Sequence, residues 1–250
     1  MTQEEIYVKS SYDGTMQPSL FFAAEEKGRP LLVALHTWSY DRHNLVGTML
    51  PYAEKYGFNL LCPEFRGSNL ISNPKHTEAC GSIAARTDIK DAIDEVIKHY
   101  DVDGESVFLI GLSGGGHMAM LMAGFCPEYF RAVAAVVPIS DLSRWCEESP
   151  YYATHVRACC GDDREEMLRR SPVSYMAEIA RANLKIFHGK YDKTVPFTQS
   201  MSFYNAMLAK HPEAKIYLDI FDGGHEIDIP AAMHWFMTQG KGGAKQEVTG

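Results

Sequence analysis

Short apolar runs of strand length alternate with amphipathic stretches along most of the chain. Ile6-Tyr7-Val8 and Leu20-Phe21-Phe22 flank Asp13-Gly14, which predicts an opening antiparallel pair joined by a turn. Residues 31–35 are apolar at every position, the pattern of a strand buried on both faces. A helix over 45–56 and a strand over 58–62 follow, then a loop over 63–80 rich in Asn, Ser, Pro and Gly. Within 88–100, Ile89, Ala92, Ile93, Val96, Ile97 and Tyr100 fall on one helical face. Residues 106–110 predict a buried strand, and 114–124 a helix of small residues. Strands over 131–138, 184–188 and 214–220 and helices over 198–209 and 229–236 complete the series.

Such alternation predicts the α/β class, a mostly parallel central sheet with helices on both faces. Ligands bind such sheets at the carboxyl ends of the strands. His36, Ser113, Asp141, Asp192 and His225 each follow a predicted strand, so all five belong at that edge. Residues 141–182 break the rhythm. They carry Trp145, Tyr151, Tyr152 and a charged helical piece over 162–170, and predict a small cap insertion whose aromatics form a binding wall. A plain surface excursion is the alternative. Residues 1–239 read as a single α/β domain, and the Gly/Lys-rich stretch over 240–250 as a flexible tail.

Composition narrows the function classes. The 250 residues carry a formal net charge of -8 and no basic stripe, which argues against nucleic-acid and anionic-membrane partners. The longest apolar runs are about strand length, too short to span a bilayer. The opening residues Met1-Thr2-Gln3-Glu4-Glu5 lack the basic and apolar regions of a signal peptide. That favours a cytoplasmic location, with a secreted form stripped of its signal as the alternative. The six cysteines include no C-x-x-C pair and read as buried thiols, with a disulfide among Cys146, Cys159 and Cys160 as the other reading. His225-Glu226 has no second histidine four positions on, and no Walker or dinucleotide glycine pattern occurs. No metal or cofactor is expected. A homo-oligomer is left open.

The chemistry concentrates at Gly111-Leu112-Ser113-Gly114-Gly115, between a predicted buried strand and a small-residue helix. A G-x-S-x-G at that junction is the signature of a nucleophile elbow, whose strained turn tolerates only small neighbours and presents the serine hydroxyl at a helix N-terminus. A serine hydroxyl needs a neighbouring base, usually a histidine oriented by a carboxylate. The order serine, acid, histidine is met by Asp192, within His188-Gly189-Lys190-Tyr191-Asp192, and by His225, within Gly223-Gly224-His225. Asp141 is a rival acid, although a place as cap of a helix starting near Leu142 suits it better.

Several stretches now carry a resemblance: Gly-Leu-Ser-Gly-Gly-Gly-His-Met-Ala at 111–119, Ser-Pro-Val-Ser-Tyr at 171–175, His-Gly-Lys-Tyr-Asp-Lys-Thr-Val-Pro at 188–196, Gly-Gly-His at 223–225, and Glu64-Phe65-Arg66-Gly-Ser. Over about residues 20–237 the chain resembles the α/β-hydrolase fold, and within it the prolyl-oligopeptidase-like and dienelactone-hydrolase-like serine hydrolases. The resemblance implies Ser113 as nucleophile, His225 as general base and later acid, and Asp192 as the orienting acid. It implies an oxyanion hole from the backbone N–H of Gly114 and a donor in the loop after Leu35. Where many relatives read His-Gly-Gly, this chain reads His36-Thr37-Trp38, so Trp38 supplies the second N–H and sets an indole at the mouth of the site. A buried core tryptophan is the other reading of Trp38.

Trp38, His117, Trp145, Tyr151 and Arg66 are the substrate-binding candidates. His117 also suits a structural place, and Arg66 a buried ion pair that pins its loop; His36 and His188 read as strand-end histidines holding their loops. The leading expectation is a serine carboxylesterase that turns over small aryl, acyl or sugar and plant-phenolic esters through an acyl-enzyme. The alternatives are a prolyl-oligopeptidase-like peptidase or aminoacyl hydrolase, and a catalytically silent binding protein on the same fold.

Overall fold

A computed structural model describes residues 1–226 and 228–239. Strands β1 (Thr2–Lys9) and β2 (Met16–Ala23) form the expected antiparallel hairpin, with Gly14 at φ 78° in its turn. After β3 (Arg29–Leu35), α1 (Val46–Tyr56) and β4 (Asn59–Pro63) come α2 (Ile83–His99) and β5 (Val102–Leu112). Helix α3 (Gly114–Phe125) leads to β6 (Ala132–Val136), then to the inserted helices α4 (Leu142–Glu148), α5 (Pro150–Cys160), α6 (Arg164–Arg169) and α7 (Met176–Ile179). Strand β7 (Leu184–Gly189), α8 (Thr198–Lys210), β8 (Ile216–Phe221) and α9 (Ile229–Thr238) close the series. Among the described residues, eight strands form one sheet in the order β1-β2-β4-β3-β5-β6-β7-β8. It is parallel from β4 to β8 and antiparallel only where β2 meets β1 and β4.

Period-two geometry explains the unbroken apolar runs. Leu31, Val33 and Leu35 belong to a core shared with α2, α3 and α8, while Leu32 and Ala34 belong to a core shared with α1 and α9. Val107 and Leu109 against Phe108 and Ile110 repeat the division. A strand with helices over both faces has no polar side to show, so its sequence cannot alternate. A third core, holding Trp38, Trp145, Val156 and four of the cysteines, lies between the insertion and the loops at the carboxyl edge. All six cysteines are buried free thiols.

The second helix departs from expectation. It begins at Ile83, with the Ser82 hydroxyl accepting from the Ala85 N–H, rather than at Asp88. Asp88 imitates a helix start, but it is a buried partner of Arg66 within the second turn. Strand β5 begins at Val102 and so precedes the purely apolar segment. The proposed tail over 240–250 lies outside the described residues. Among the described residues no helix is long and apolar enough to cross a membrane.

Candidate active site

Ser113 stands between β5 and α3 at φ 55°, ψ -115°, a strained backbone held by its N–H bond of 2.9 Å to the Val136 carbonyl. The flanking glycines are sterically required. A Cβ on Gly111 would meet the Gly115 carbonyl oxygen at 2.0 Å, and one on Gly115 would meet the Leu35 oxygen at 2.2 Å. The elbow is thus pressed against the end of β3, and its side chain has only the carboxyl edge of the sheet to point toward.

The acid turn and the histidine loop are built as a pair. Lys190 N–H donates to the Phe221 carbonyl and Tyr191 N–H to the Gly223 carbonyl, which ties the turn after β7 to the loop after β8. A Cβ on Gly189 would lie 2.0 Å from the Gly224 oxygen, so the two loops approach this closely only with glycine there. Asp192 Oδ1 accepts from the Thr194 and Val195 N–H groups at 2.8 and 2.9 Å. Its Oδ2 faces His225 Nδ1 at 2.7 Å, and His225 Nε2 lies 3.0 Å from Ser113 Oγ. Burial alone would raise the Asp192 carboxyl, but contacts from His188, His225 and the Val195 N–H overcome it and hold the group well below the usual carboxylate range. An ionised Asp192 fixes the tautomer of His225, with hydrogen on Nδ1 and a free lone pair on Nε2 toward the hydroxyl.

A cavity of about 190 Å³ opens over this trio, lined by Trp38, Tyr40, Ser113, Val137, Tyr152 and His225, with uncharged Thr37, Ser39 and Leu112 between them. Val137 is β-branched yet sits at φ 44°, a second strained residue at the same edge. Gly114 and Trp38 are adjacent, since a Cβ on Gly114 would come within 2.6 Å of the Trp38 nitrogen. The loop carrying Trp38 is held by Thr37 N–H to Asn44 Oδ1 and by Asn69 N–H to the Trp38 carbonyl. A larger groove of about 440 Å³ near Glu25, Arg29 and Tyr56 contains none of these residues.

Of the substrate-contact candidates, Trp38 alone reaches the cavity. Trp145 is buried behind it, edge-on to Trp38 at 5.0 Å between ring centroids and with Nε1 donating to the Thr194 carbonyl. Tyr151 is 74% exposed on the outer side of α5, and its neighbour Tyr152, stacked on Trp145 at 4.9 Å, lines the cavity instead. The signal was present: Tyr152, Val156, Cys159 and Cys160 fall at i, i+4, i+7 and i+8, the inner stripe of that helix. His117 is buried with Nε2 donating to the Arg170 carbonyl, away from the cavity. Arg66 lies fully buried against Asp88, Asp13 and Glu78 and pins the loop after β4. Asp141 caps α4, accepting from the Arg144 N–H. Tyr40 and Val137 carried no sequence signal, because a loop tip and a strand end acquire a cavity only when the loops assemble.

Fold and site together define an α/β-hydrolase of the serine-hydrolase class. Residues 46–239 match the prolyl oligopeptidase family, and the chain belongs to it. It is 28% identical over 178 residues to the acylamino-acid-releasing enzyme of Rattus norvegicus, covering 66% of this chain and 24% of that protein. It is 25% identical over 239 residues to dipeptidyl aminopeptidase BIII of Pseudoxanthomonas mexicana, covering 88% of this chain and 34% of that one. Pyrococcus horikoshii acylaminoacyl peptidase superposes with a TM-score of 0.74 at 20% identity, over 95% of this chain and 40% of its own. The chain therefore spans about a quarter to a third of the curated relatives it matches.

Proposed function

We propose that the chain is a serine peptidase-type hydrolase that cleaves the amide bond following an N-acylated aminoacyl residue. Ser113 Oγ attacks the carbonyl carbon as His225 Nε2 takes its proton. The carbonyl oxygen, now an oxyanion, accepts from the N–H groups of Gly114 and Trp38, each such donor lowering the barrier by about 3 kcal/mol. Collapse breaks the C–N bond, and the leaving amine takes the proton from His225. A water then attacks the acyl-enzyme by the same route and frees the acid. Asp192 remains ionised throughout and stabilises the imidazolium.

The observation that carries this reading is the continuous path Asp192–His225–Ser113, at 2.7 and 3.0 Å, opening into a cavity that, among the described residues, is lined by no carboxylate. A substrate with a free ammonium would find no counter-charge there, whereas a blocked amine is neutral. The acylamino-acid-releasing and acylaminoacyl relatives favour the same bond over the carboxylic ester expected from the motifs. The test compares N-acetyl-alanine p-nitroanilide, alanine p-nitroanilide and p-nitrophenyl acetate. Faster turnover of the acetylated anilide than of the free one is expected. Preference for the free amine would overturn the N-acyl specificity. Ester turnover with no anilide cleavage would restore the carboxylesterase reading.

A further inference from the structure

Asp192 is touched by two imidazoles. His188, next to last in β7, has a fully buried side chain, and its Nε2 lies 3.3 Å from Asp192 Oδ2, the oxygen that also faces His225. The same Nε2 is 2.9 Å from the Val195 carbonyl, while Nδ1 is 2.7 Å from Ser200 Oγ on α8. A carbonyl only accepts, so Nε2 carries a hydrogen, and in the neutral ring Nδ1 takes the Ser200 hydroxyl hydrogen. That hydrogen points at the turn residue whose own N–H holds Asp192 Oδ1.

We propose that His188 is a positioning residue for the triad. It braces the Asp192 carboxylate through the Val195 peptide and presents the positive edge of its N–H to Oδ2, with Ser200 setting its tautomer. The inference rests on the triad reading above and extends it to a line Ser113–His225–Asp192–His188–Ser200 that is buried from Asp192 inward. Without the Nε2 donor, the Val195 peptide is free to turn and Oδ2 loses one of its two imidazole contacts. Asp192 then presents a less defined acceptor to His225, and Ser113 is a weaker nucleophile. The cavity itself is untouched, since His188 does not line it.

The test is the rate at which a fluorophosphonate labels Ser113, which reports nucleophile activation without knowledge of the natural substrate. An asparagine amide reaches the Nδ1 position and can keep the Ser200 bond, whereas a glutamine amide reaches the Nε2 position. His188→Asn is expected to lower the maximal labelling rate about tenfold or more with unchanged probe affinity, and His188→Gln to stay within about threefold of wild type, by analogy with the losses seen for groups that orient a first ligand. Packing alone would move both amides together. Wild-type labelling by folded His188→Asn, or an equal loss in both variants at equal melting temperature, would overturn the inference. Should His188→Asn fail to fold, Ser200→Ala decides: slowed labelling supports the bracing role and a wild-type rate rejects it. Wild-type protein that resists the probe, like the Ser113→Ala control, would instead overturn the triad reading on which this one stands.

Discussion

The Ser113 elbow and an aromatic wall, Trp38 and Tyr152 with Trp145 packed behind them, face one cavity, but opposite forces build them. The elbow is a backbone object. Its dihedrals, its two obligatory glycines and its hydrogen bond to the Val136 carbonyl leave little room for other side chains. The wall is a packing object. Trp145 and Tyr152 stack at 4.9 Å and Trp38 meets both edge-on, an arrangement that depends on how α4 and α5 sit over the loop after β3. Chemistry is therefore expected to sit in the rigid half and selectivity in the adaptable half. His117 ties the elbow's helix to the segment that packs beside α4 and α5, since it lies one turn beyond Ser113 on α3 and bonds the Arg170 carbonyl just past α6.

Three experiments separate the halves. The largest effect is expected at the elbow: Ser113→Ala should lower turnover by about 10⁴-fold or more while the urea midpoint hardly moves. Substantial residual turnover of the acetylated anilide would remove the division between chemistry and selectivity.

The joint comes next. Burial pushes His117 down to about 4 from an ordinary 6.5. Because the folded value lies below the unfolded one, the unfolded state binds the proton first. The neutral joint is intact above pH 6.5 and is undermined as pH falls toward 4, by on the order of 3 kcal/mol. Urea unfolding of wild type and His117→Gln at pH 7, 5.5 and 4 should show the stability advantage of wild type shrinking with acid. A difference independent of pH would mean that His117 titrates alike in both states.

The smallest effect is expected at the wall. Tyr152→Ala should lower kcat/KM by about tenfold, at the low end of the roughly 1.5–3 kcal/mol of a fully buried large apolar side chain because Tyr152 is half-buried, chiefly through KM. Tyr151→Ala, one position away, should change it by less than about 0.5 kcal/mol-equivalent, as for other exposed positions. Equal losses in the two variants would show that α5 sits differently over the cavity in solution.

The same contrast explains what could be read in advance. Residues 31–35 and 106–110 announce buried strands because burial on two faces forbids polar side chains. Gly111 and Gly115 announce the elbow around Ser113 because a Cβ at either position would collide with backbone. Asp192 and His225 follow from a loop order that the elbow makes meaningful. The true start of α2 escapes the pattern because a charged residue in a helix normally faces water, and the partner that lets Asp88 be buried, Arg66, arrives from a different loop. Neighbouring Tyr151 and Tyr152 look alike until the helix phase is counted from Val156 and Cys160, which turns Tyr152 inward and Tyr151 out.

By itself the sequence determined the order of strands and helices, the residue at the sharp turn and the edge of the sheet where the polar groups gather, since these follow from local sterics and from the burial of apolar surface. Only the tertiary structure decided that Arg66 serves a loop rather than a ligand, that Tyr40 and Val137 meet the cavity, and that a second imidazole stands under Asp192. Each of those depends on segments far apart in the chain coming within a few ångströms, and a contact of that kind leaves no periodicity for the sequence to carry.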